Sequence, residues 1–285
     1  MTRVVRMPAE FRQACEDARR KGETVGLVPT MGALHDGHLS LIDAAKARAN
    51  FLAATVFVNP LQFAADEDLD RYPRTFDEDL AACRARGVDL VFAPEPAAMY
   101  PEGFQTGVRV TEITRPLEGQ FRPSHFDGVT TVVTKLFNLT GPCIAVFGRK
   151  DYQQWKILSR LARDLDIPVD VVGCPIVREA DGLALSSRNR YLGPDDRGRA
   201  LGIVMGLRAA FDVWGRGERD PETLRALAAA PVEARFEKVD YVAVTDPETL
   251  GPPTKGASRV LVAVAAHLGT TRLIDNVVLG EDARP

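Results

Sequence analysis

The chain has 285 residues, which is long enough for two domains and a substantial hydrophobic core. The composition is ordinary for a globular protein, and the net charge of −3 argues against a nucleic-acid binder held by a broad basic surface. The N-terminus lacks the apolar region of a signal peptide, and no stretch approaches a membrane span. The four cysteines are far apart in the sequence, as in reduced proteins, so we expect a cytoplasmic location.

Short apolar runs alternate with helical patterns through the first two-thirds of the chain. The predicted strands are at 25–28, 51–58, 88–92, 144–147 and 169–172. The predicted helices between them are at about 38–49, 77–86 and 152–165. This alternation predicts a doubly wound parallel α/β sheet, whose ligands bind beyond the carboxyl ends of the strands. We expect the polar turns after Val28, Val58 and Phe147 to open onto that edge.

The pattern changes after Val177. A polar loop at 178–191 precedes helices at about 194–214 and 221–229, and strands follow near 238–244, 259–266 and 272–279. These elements predict a smaller α+β domain with an antiparallel sheet.

The most informative motif is the turn after the strand predicted at 25–28. It reads Met31-Gly32-Ala33-Leu34-His35-Asp36-Gly37-His38. Glycines permit close backbone approach, and the free N–H groups of a helix N-terminus suit a phosphate. Histidines add hydrogen-bond donors to phosphate oxygens. Zinc is the alternative ligand, but the His-Glu-x-x-His pattern and a nearby third ligand are missing. Because the chain also lacks a P-loop and a Gly-x-Gly-x-x-Gly fingerprint, this turn is the predicted nucleotide site.

Two polar groups follow the strand at 51–58. Asn59 and Gln62 have amides that can bind the hydroxyl or carboxylate groups of a small substrate. The alternative for Asn59 is an Asn-Pro turn in which the side chain bonds its own backbone.

An acidic stretch opens the helix predicted at about 77–86. Thr75 and Glu78 have the spacing of a capping box, which we favour for Glu78. Asp79 is left open as a ligand of Mg²⁺ on a triphosphate, since magnesium prefers carboxylate and phosphate oxygens.

A second strong motif follows the strand at 144–147 and reads Gly148-Arg149-Lys150-Asp151-Tyr152-Gln153-Gln154. Lys150 can neutralise phosphate charge, Asp151 can accept from ribose hydroxyls, and Gln154 can bind the substrate. The alternative is a capping Asp151 beside a solvated basic pair.

Two polar loops complete the candidates. The first contains two hydroxyls and an arginine that suit binding of a triphosphate, in the stretch Leu185-Ser186-Ser187-Arg188. The glycine-bearing run before this stretch would let the loop move over the site. The alternative is that the loop is a flexible linker. The stretch at 119–128 is predicted to be irregular, and we favour a structural role for its His125.

Taken in order, the stretches at 29–38, 57–63, 147–154, 185–189 and 269–276 closely resemble the pantothenate synthetase (pantoate–β-alanine ligase) family. The resemblance implies a Rossmann-like domain at 1–176 and a smaller α+β domain at 177–285 that covers the site. It also implies membership of the nucleotidyltransferase superfamily, ATP and Mg²⁺, a homodimer, and condensation of (R)-pantoate with β-alanine through a pantoyl adenylate, with release of AMP and pyrophosphate.

The resemblance also implies roles for individual residues. His35 and His38 would be catalytic groups on the phosphates, and Gln62 and Gln154 would bind pantoate or β-alanine. From the residues themselves we also predict catalytic roles for Lys150 and Arg188, and binding of pantoate or β-alanine by Asn59. The ATP-binding set would be Met31, Gly32, Ala33, Leu34, His35, Asp36, Gly37, His38, Gly148, Arg149, Lys150, Asp151, Val177, Leu185, Ser186, Ser187 and Arg188.

Four positions depart from the family pattern: Asp36 and Arg149 replace Glu, Leu185 replaces Met, and His267 stands where Arg or Lys is frequent. The alternatives are another adenylyltransferase of the same superfamily and a nucleotide-sensing module without turnover. A tRNA-charging enzyme is disfavoured because the chain lacks Lys-Met-Ser-Lys-Ser and is acidic.

Overall fold

The structure is a computed structural model that describes residues 2–64 and 67–285. The chain forms two compact units, one of Met1–Arg149 with Gln154–Pro175 and one of Lys150–Gln153 with Ile176–Pro285. Within the described ranges, no helix has both the length and the apolar character needed to cross a membrane.

The first unit is built on a six-stranded sheet in which every pairing is parallel. The strands are β1 (Arg3–Val5), β2 (Val25–Thr30), β3 (Phe51–Val56), β4 (Leu90–Phe92), β5 (Cys143–Gly148) and β6 (Val169–Cys174), in the spatial order β1-β4-β3-β2-β5-β6. The order reverses between β2 and β5, which is where doubly wound sheets bind ligands. The predicted Rossmann-like fold is confirmed.

Helices follow the strands of this sheet. They are α1 (Pro8–Arg20), α2 (Asp36–Lys46), α3 (Phe76–Ala85), α4 (Pro96–Met99), α5 (Glu118–Phe121), α6 (His125–Thr140) and α7 (Tyr152–Asp164), and 3-10 helices span Pro60–Gln62 and Arg149–Asp151.

Alternate residues of the central strands face two separate cores. Leu27 and Ala53 pack with α1, α6 and α7 on one side of the sheet, whereas Val28 and Ala54 pack with α2 and α3 on the other. Because successive side chains of a strand point to opposite faces, a strand covered on both sides must be apolar at every position. This requirement explains the continuous apolar runs of the sequence.

The second unit packs two helices on an antiparallel sheet. The strands β7 (Lys238–Thr245), β8 (Val260–Leu268) and β9 (Thr271–Leu279) lie in the order β7-β8-β9. Ile203 of α8 (Pro194–Gly215) and Leu224 of α9 (Pro221–Glu233) share a core with Val262 and Val264 of β8. The predicted α+β arrangement is confirmed.

Several elements differ from the prediction. The sequence patterns did not predict β1, α1 or α6, and the stretch at 119–128, expected to be irregular, contains most of α5 and the start of α6. The sequence of α6 includes Val129-Thr130-Thr131-Val132-Val133, β-branched residues with low helix propensity, and burial of all five residues overrides that preference. The second predicted strand ends at Val56 and not at Val58.

Candidate active site

The histidine turn and the segment carrying Asn59 start from neighbouring strand ends. Thr30 of β2 pairs with Val56 of β3 at the carboxyl edge of the sheet. The Thr30 hydroxyl donates to the Thr55 carbonyl at 2.6 Å, and the Thr30 N–H donates to the Thr55 hydroxyl at 3.1 Å. These bonds hold the two strand ends together, so the polar turns open onto one edge, as predicted.

The backbone of the histidine turn is held by a carboxylate distant in sequence. Gly32 and Ala33 have φ values of +83° and +50°, and the second is a left-handed conformation that costs a residue with a Cβ of order 1 kcal/mol or more. Asp79, which is 2% exposed, accepts from the N–H of Ala33 at 3.0 Å and of Leu34 at 2.7 Å. The Asp79 carboxylate therefore stabilises the turn conformation.

The role of Asp79 bears on two of our expectations. Thr75 is the N-cap residue of α3, but its side chain makes no capping bond, so the predicted capping box with Glu78 is wrong. The Thr75 hydroxyl instead donates to Asp79 at 3.3 Å. A buried carboxylate that already accepts three hydrogen bonds does not fit a magnesium ligand. Within residues 2–64 and 67–285, no group of three or more His, Cys, Asp or Glu side chains is arranged to hold a metal.

The two histidines flank the start of a helix. His35 is the N-cap of α2, and its Nδ1 accepts the N–H of Gly37 at 3.1 Å. An accepting Nδ1 is unprotonated, so the neutral ring carries its proton on Nε2. The ring centroids of His35 and His38 are 4.1 Å apart, and both residues are half-buried. The turn combines two imidazoles with the first N–H groups of a helix, an arrangement suited to anions.

Asn59 is a structural residue in this network. It is 1% exposed, and its Oδ1 accepts from the N–H of Leu61 at 3.3 Å and from the Tyr100 hydroxyl at 2.7 Å. Its Nδ2 donates to Gln62 Oε1 at 3.0 Å and to the Gly128 carbonyl at 3.1 Å. The turn alternative for Asn59 is therefore confirmed, and a direct contact with substrate would require these bonds to break. Asn59 instead orients the Gln62 amide.

The Gln62 amide contacts the histidine turn itself. Its Nε2 lies 3.2 Å from the Met31 Sδ. The Gln62 backbone carbonyl accepts from His125 Nδ1 at 2.9 Å and from Arg122 at 3.4 Å. Burial lowers the pKa of His125 to about 4, so the ring is neutral near pH 7 with its proton on Nδ1. This contact gives His125 the structural role that we favoured.

Close packing of α6 against the 3-10 helix Pro60–Gln62 depends on Gly128. A Cβ at this position would lie 2.2 Å from the Leu61 carbonyl oxygen. Sequence reasoning missed Gly128 and Tyr100, although a glycine directly before a β-branched run is a recognisable sign of close backbone approach. Gln154, in the first turns of α7, is half-buried like Gln62.

In the second unit, Lys150 is fixed by both its side chain and its backbone. Its ammonium lies 3.4 Å from both carboxylate oxygens of Asp151, and its side chain is 20% exposed. Its carbonyl accepts from Asn276 Nδ2 at 2.9 Å. The Lys150 ammonium is therefore paired with Asp151, and the Lys150 backbone is held by Asn276.

The loop predicted at 178–191 is an ordered hairpin followed by a 3-10 helix. Arg178 and Ala184 form an antiparallel bridge, and the N–H of Leu185 donates to the Val177 carbonyl at 3.0 Å. Ser186 then caps the 3-10 helix Ser187–Tyr191 by accepting the Arg188 N–H at 3.3 Å. The linker alternative is therefore wrong, because hydrogen bonds define this segment.

The four cysteines are buried free thiols. Burial raises the pKa of Cys15 and Cys143 to about 12 and that of Cys83 to about 11, and it also raises the pKa of Cys174. A thiol with such a pKa is protonated near pH 7 and is a poor nucleophile.

Comparisons with known proteins show the family of this chain. The family model described as pantoate-beta-alanine ligase matches residues 3–278. The pantothenate synthetase of Geotalea uraniireducens (strain Rf4) is 50% identical over 274 residues, which cover 96% of this chain and 97% of that protein.

Two solved structures are also similar. Pantothenate synthetase from Thermus thermophilus matches with a TM-score of 0.91 and 46% identity, over 97% of this chain and 99% of that one. Pantoate-beta-alanine ligase from Francisella tularensis, complexed with beta-gamma ATP and beta-alanine, matches with a TM-score of 0.81 and 30% identity over 100% of both chains. The chain described here belongs to the pantoate–β-alanine ligase family.

Proposed function

We propose that this chain condenses (R)-pantoate with β-alanine through a pantoyl adenylate, using ATP and releasing AMP and pyrophosphate. The observation that carries the proposal is the 3.2 Å contact between Gln62 Nε2 and Met31 Sδ. This contact brings the Gln62 amide, which can bind a carboxylate or hydroxyl group, against the histidine turn, which suits phosphates. The beta-gamma ATP and beta-alanine complexed with the Francisella relative belong to the same ligand classes.

We assign the contacts to ATP for each unit by itself. In the first unit we assign the phosphates to the turn from Met31 to His38, with hydrogen bonds from both imidazoles, and further ATP contacts to Gly148 and Arg149. In the second unit we assign charge neutralisation to Lys150 and Arg188, and further ATP contacts to Asp151, Val177, Leu185, Ser186 and Ser187. Preorganised donors of this kind stabilise charge that develops on the phosphates in the transition state.

The reaction requires no enzyme nucleophile. The pantoate carboxylate, held by Gln62 and Gln154, attacks the α-phosphorus of ATP; an O–P bond forms, and the bond to the β-phosphate oxygen breaks with its electrons leaving on pyrophosphate. The amine of β-alanine then attacks the acyl carbon of the mixed anhydride. The C–O bond breaks, AMP leaves, and the nitrogen loses a proton as the amide forms.

Magnesium enters this proposal only as part of the substrate. A divalent ion on the triphosphate would neutralise charge on the leaving pyrophosphate. Because Asp79 is engaged with the backbone of the histidine turn, no step is assigned to a metal at that carboxylate.

We also infer a homodimer in the cytoplasm, with the assembly state inferred from the family resemblance. The four buried free thiols are compatible with a reducing compartment. Light scattering of the purified protein should give the mass of two chains, and the mass of one chain would contradict the dimer.

The function is tested with the purified protein and three substrates. We expect AMP and pantothenate in equal amounts when ATP, pantoate and β-alanine are all present, and neither product when pantoate is omitted. Without β-alanine, pantoate should support exchange of labelled pyrophosphate into ATP. Exchange that requires a phosphorylated cofactor precursor would identify another adenylyltransferase, and tight ATP binding without turnover would identify a sensor.

A further inference from the structure

We propose that Asn276 is a positioning residue for Lys150, acting from strand β9 through the Lys150 backbone. The proposal rests on the proposed function, because it concerns how the Lys150 ammonium is placed for phosphate chemistry. It adds that the same strand also fixes the hairpin leading to Ser186–Arg188.

The first observation is the bond between Asn276 and Lys150. The Nδ2 of Asn276 donates to the Lys150 carbonyl at 2.9 Å, and the two residues are 126 positions apart in the chain. Asn276 is 4% exposed and lies opposite Ala263 in the middle of the β8–β9 ladder. A rigid, buried strand therefore sets the point from which the Lys150 side chain starts.

The second observation is an ion pair that ties the neighbouring residue to the hairpin. Arg178 donates to both carboxylate oxygens of Asp275, at 2.6 and 3.0 Å, and to the carbonyl of Gly182 at 3.1 Å. The Asp275 carboxylate is 4% exposed, and it also accepts the N–H of Asn276 at 2.8 Å. Asp275 and Asn276 thus belong to one network that reaches both the hairpin and the segment of Lys150.

The chemistry explains why such a network matters. A lysine ammonium stabilises a developing phosphate charge only from the correct position, and a misplacement of about 1 Å can cost on the order of 100-fold in rate. Loss of the Asn276 amide leaves the Lys150 charge intact but releases its backbone. We therefore expect Asn276→Ala to lower the rate of adenylation at least tenfold, while the KM for pantoate changes less than twofold.

A double-mutant cycle tests the proposal by measuring pantoate-dependent ATP–pyrophosphate exchange. We compare wild type, Asn276→Ala, Lys150→Ala and the double variant. If Asn276 acts through Lys150, the double variant should be no slower than Lys150→Ala alone, because the group that Asn276 positions is already gone. Thr245→Val, which removes a buried hydroxyl from β7 of the same sheet, is the matched control and should exchange at the wild-type rate.

Multiplicative losses in the double variant, or a wild-type rate for Asn276→Ala, would overturn the proposal. If Asn276→Ala does not fold, as judged by thermal unfolding, Asn276→Ser enters the same cycle, since its short hydroxyl does not span the distance to the Lys150 carbonyl. A wild-type protein that lacks pantoate-dependent exchange would instead overturn the proposed function, so the two failures are distinguishable.

Discussion

The two units hold their candidate binding groups by different means. In the first unit, Asp79 binds the backbone of the histidine turn, and neutral amide and hydroxyl groups fix Gln62. In the second, a bidentate Arg178–Asp275 ion pair fixes the hairpin, and Asn276 holds the Lys150 backbone. The comparison teaches that a motif can bear its functional groups on adjacent residues while the groups that set its geometry come from distant parts of the chain.

The largest expected effect concerns the binding groups themselves. We expect His38→Ala in the first unit and Lys150→Ala in the second each to slow pantoate-dependent ATP–pyrophosphate exchange by about 10²–10³-fold, since each removes a preorganised donor to charged phosphate oxygens. Stopped-flow or single-turnover adenylation measures this step directly. Lys238→Ala, an exposed lysine of the second unit, is the control and should leave the rate unchanged. Near-normal adenylation in both variants would contradict the assignment.

The next prediction tests the carboxylate that supports the first unit. Asp79→Ala leaves the N–H groups of Ala33 and Leu34 without their acceptor, and buried unsatisfied donors cost about 1–3 kcal/mol each. We expect the free energy of unfolding to fall by about 3 kcal/mol in chemical denaturation. The exposed neighbour Glu78→Ala should cost less than about 1 kcal/mol. Equal losses in the two variants would show that Asp79 does not support the turn.

A pH-dependent prediction tests His125. Its pKa falls from 6.5 to about 4 on folding, mainly because of burial, with Arg122 adding to the shift and Glu118 and Glu67 opposing it. The unfolded state therefore binds a proton at a higher pH than the native state, so stability present above pH 6.5 is lost as the pH falls towards 4. Between pH 7 and 5 this single group should account for about 2 kcal/mol.

The matched variant is His125→Asn, which retains an N–H donor for the Gln62 carbonyl but cannot titrate. Denaturation at several pH values should show a steeper loss for the wild type than for the variant. Parallel curves would mean that His125 titrates normally in the folded protein.

The smallest effect concerns helix packing behind Gln62. Gly128→Ala would drive a Cβ against the Leu61 carbonyl oxygen and displace the 3-10 helix, so we expect the KM for pantoate to rise about tenfold, or roughly 1.4 kcal/mol. Gly198→Ala in α8 is the control, since a Cβ there meets no atom of the described residues within 4 Å. It should leave the KM unchanged, and steady-state kinetics of both variants measures the contrast.

The sequence predicted the parts of the fold and site that depend on neighbouring residues. The apolar runs around Leu27 and Ala53 predicted buried parallel strands, and the histidine turn was correctly predicted to lie at a helix start. In contrast, α6 was missed because its β-branched residues favour strands locally, and only packing makes the segment helical.

The supporting contacts were not predictable for a related reason. The sequence offered Asp79 only as an open candidate for a magnesium ligand, and nothing in the sequence links it to Ala33, 46 positions away. Asn276 and Lys150 are separated still further. Periodicity and motif spacing report contacts along one element, whereas these contacts depend on how elements pack.

The central claim is that the pantoate carboxylate attacks the α-phosphorus of ATP. Pantoate labelled with ¹⁸O in its carboxylate, incubated with the protein, ATP and β-alanine, tests it directly when the released AMP is analysed by mass spectrometry. We predict one ¹⁸O atom in AMP, because the bridging oxygen of the adenylate stays with phosphorus when the amine attacks the acyl carbon. Pantothenate formed together with unlabelled AMP would contradict the account.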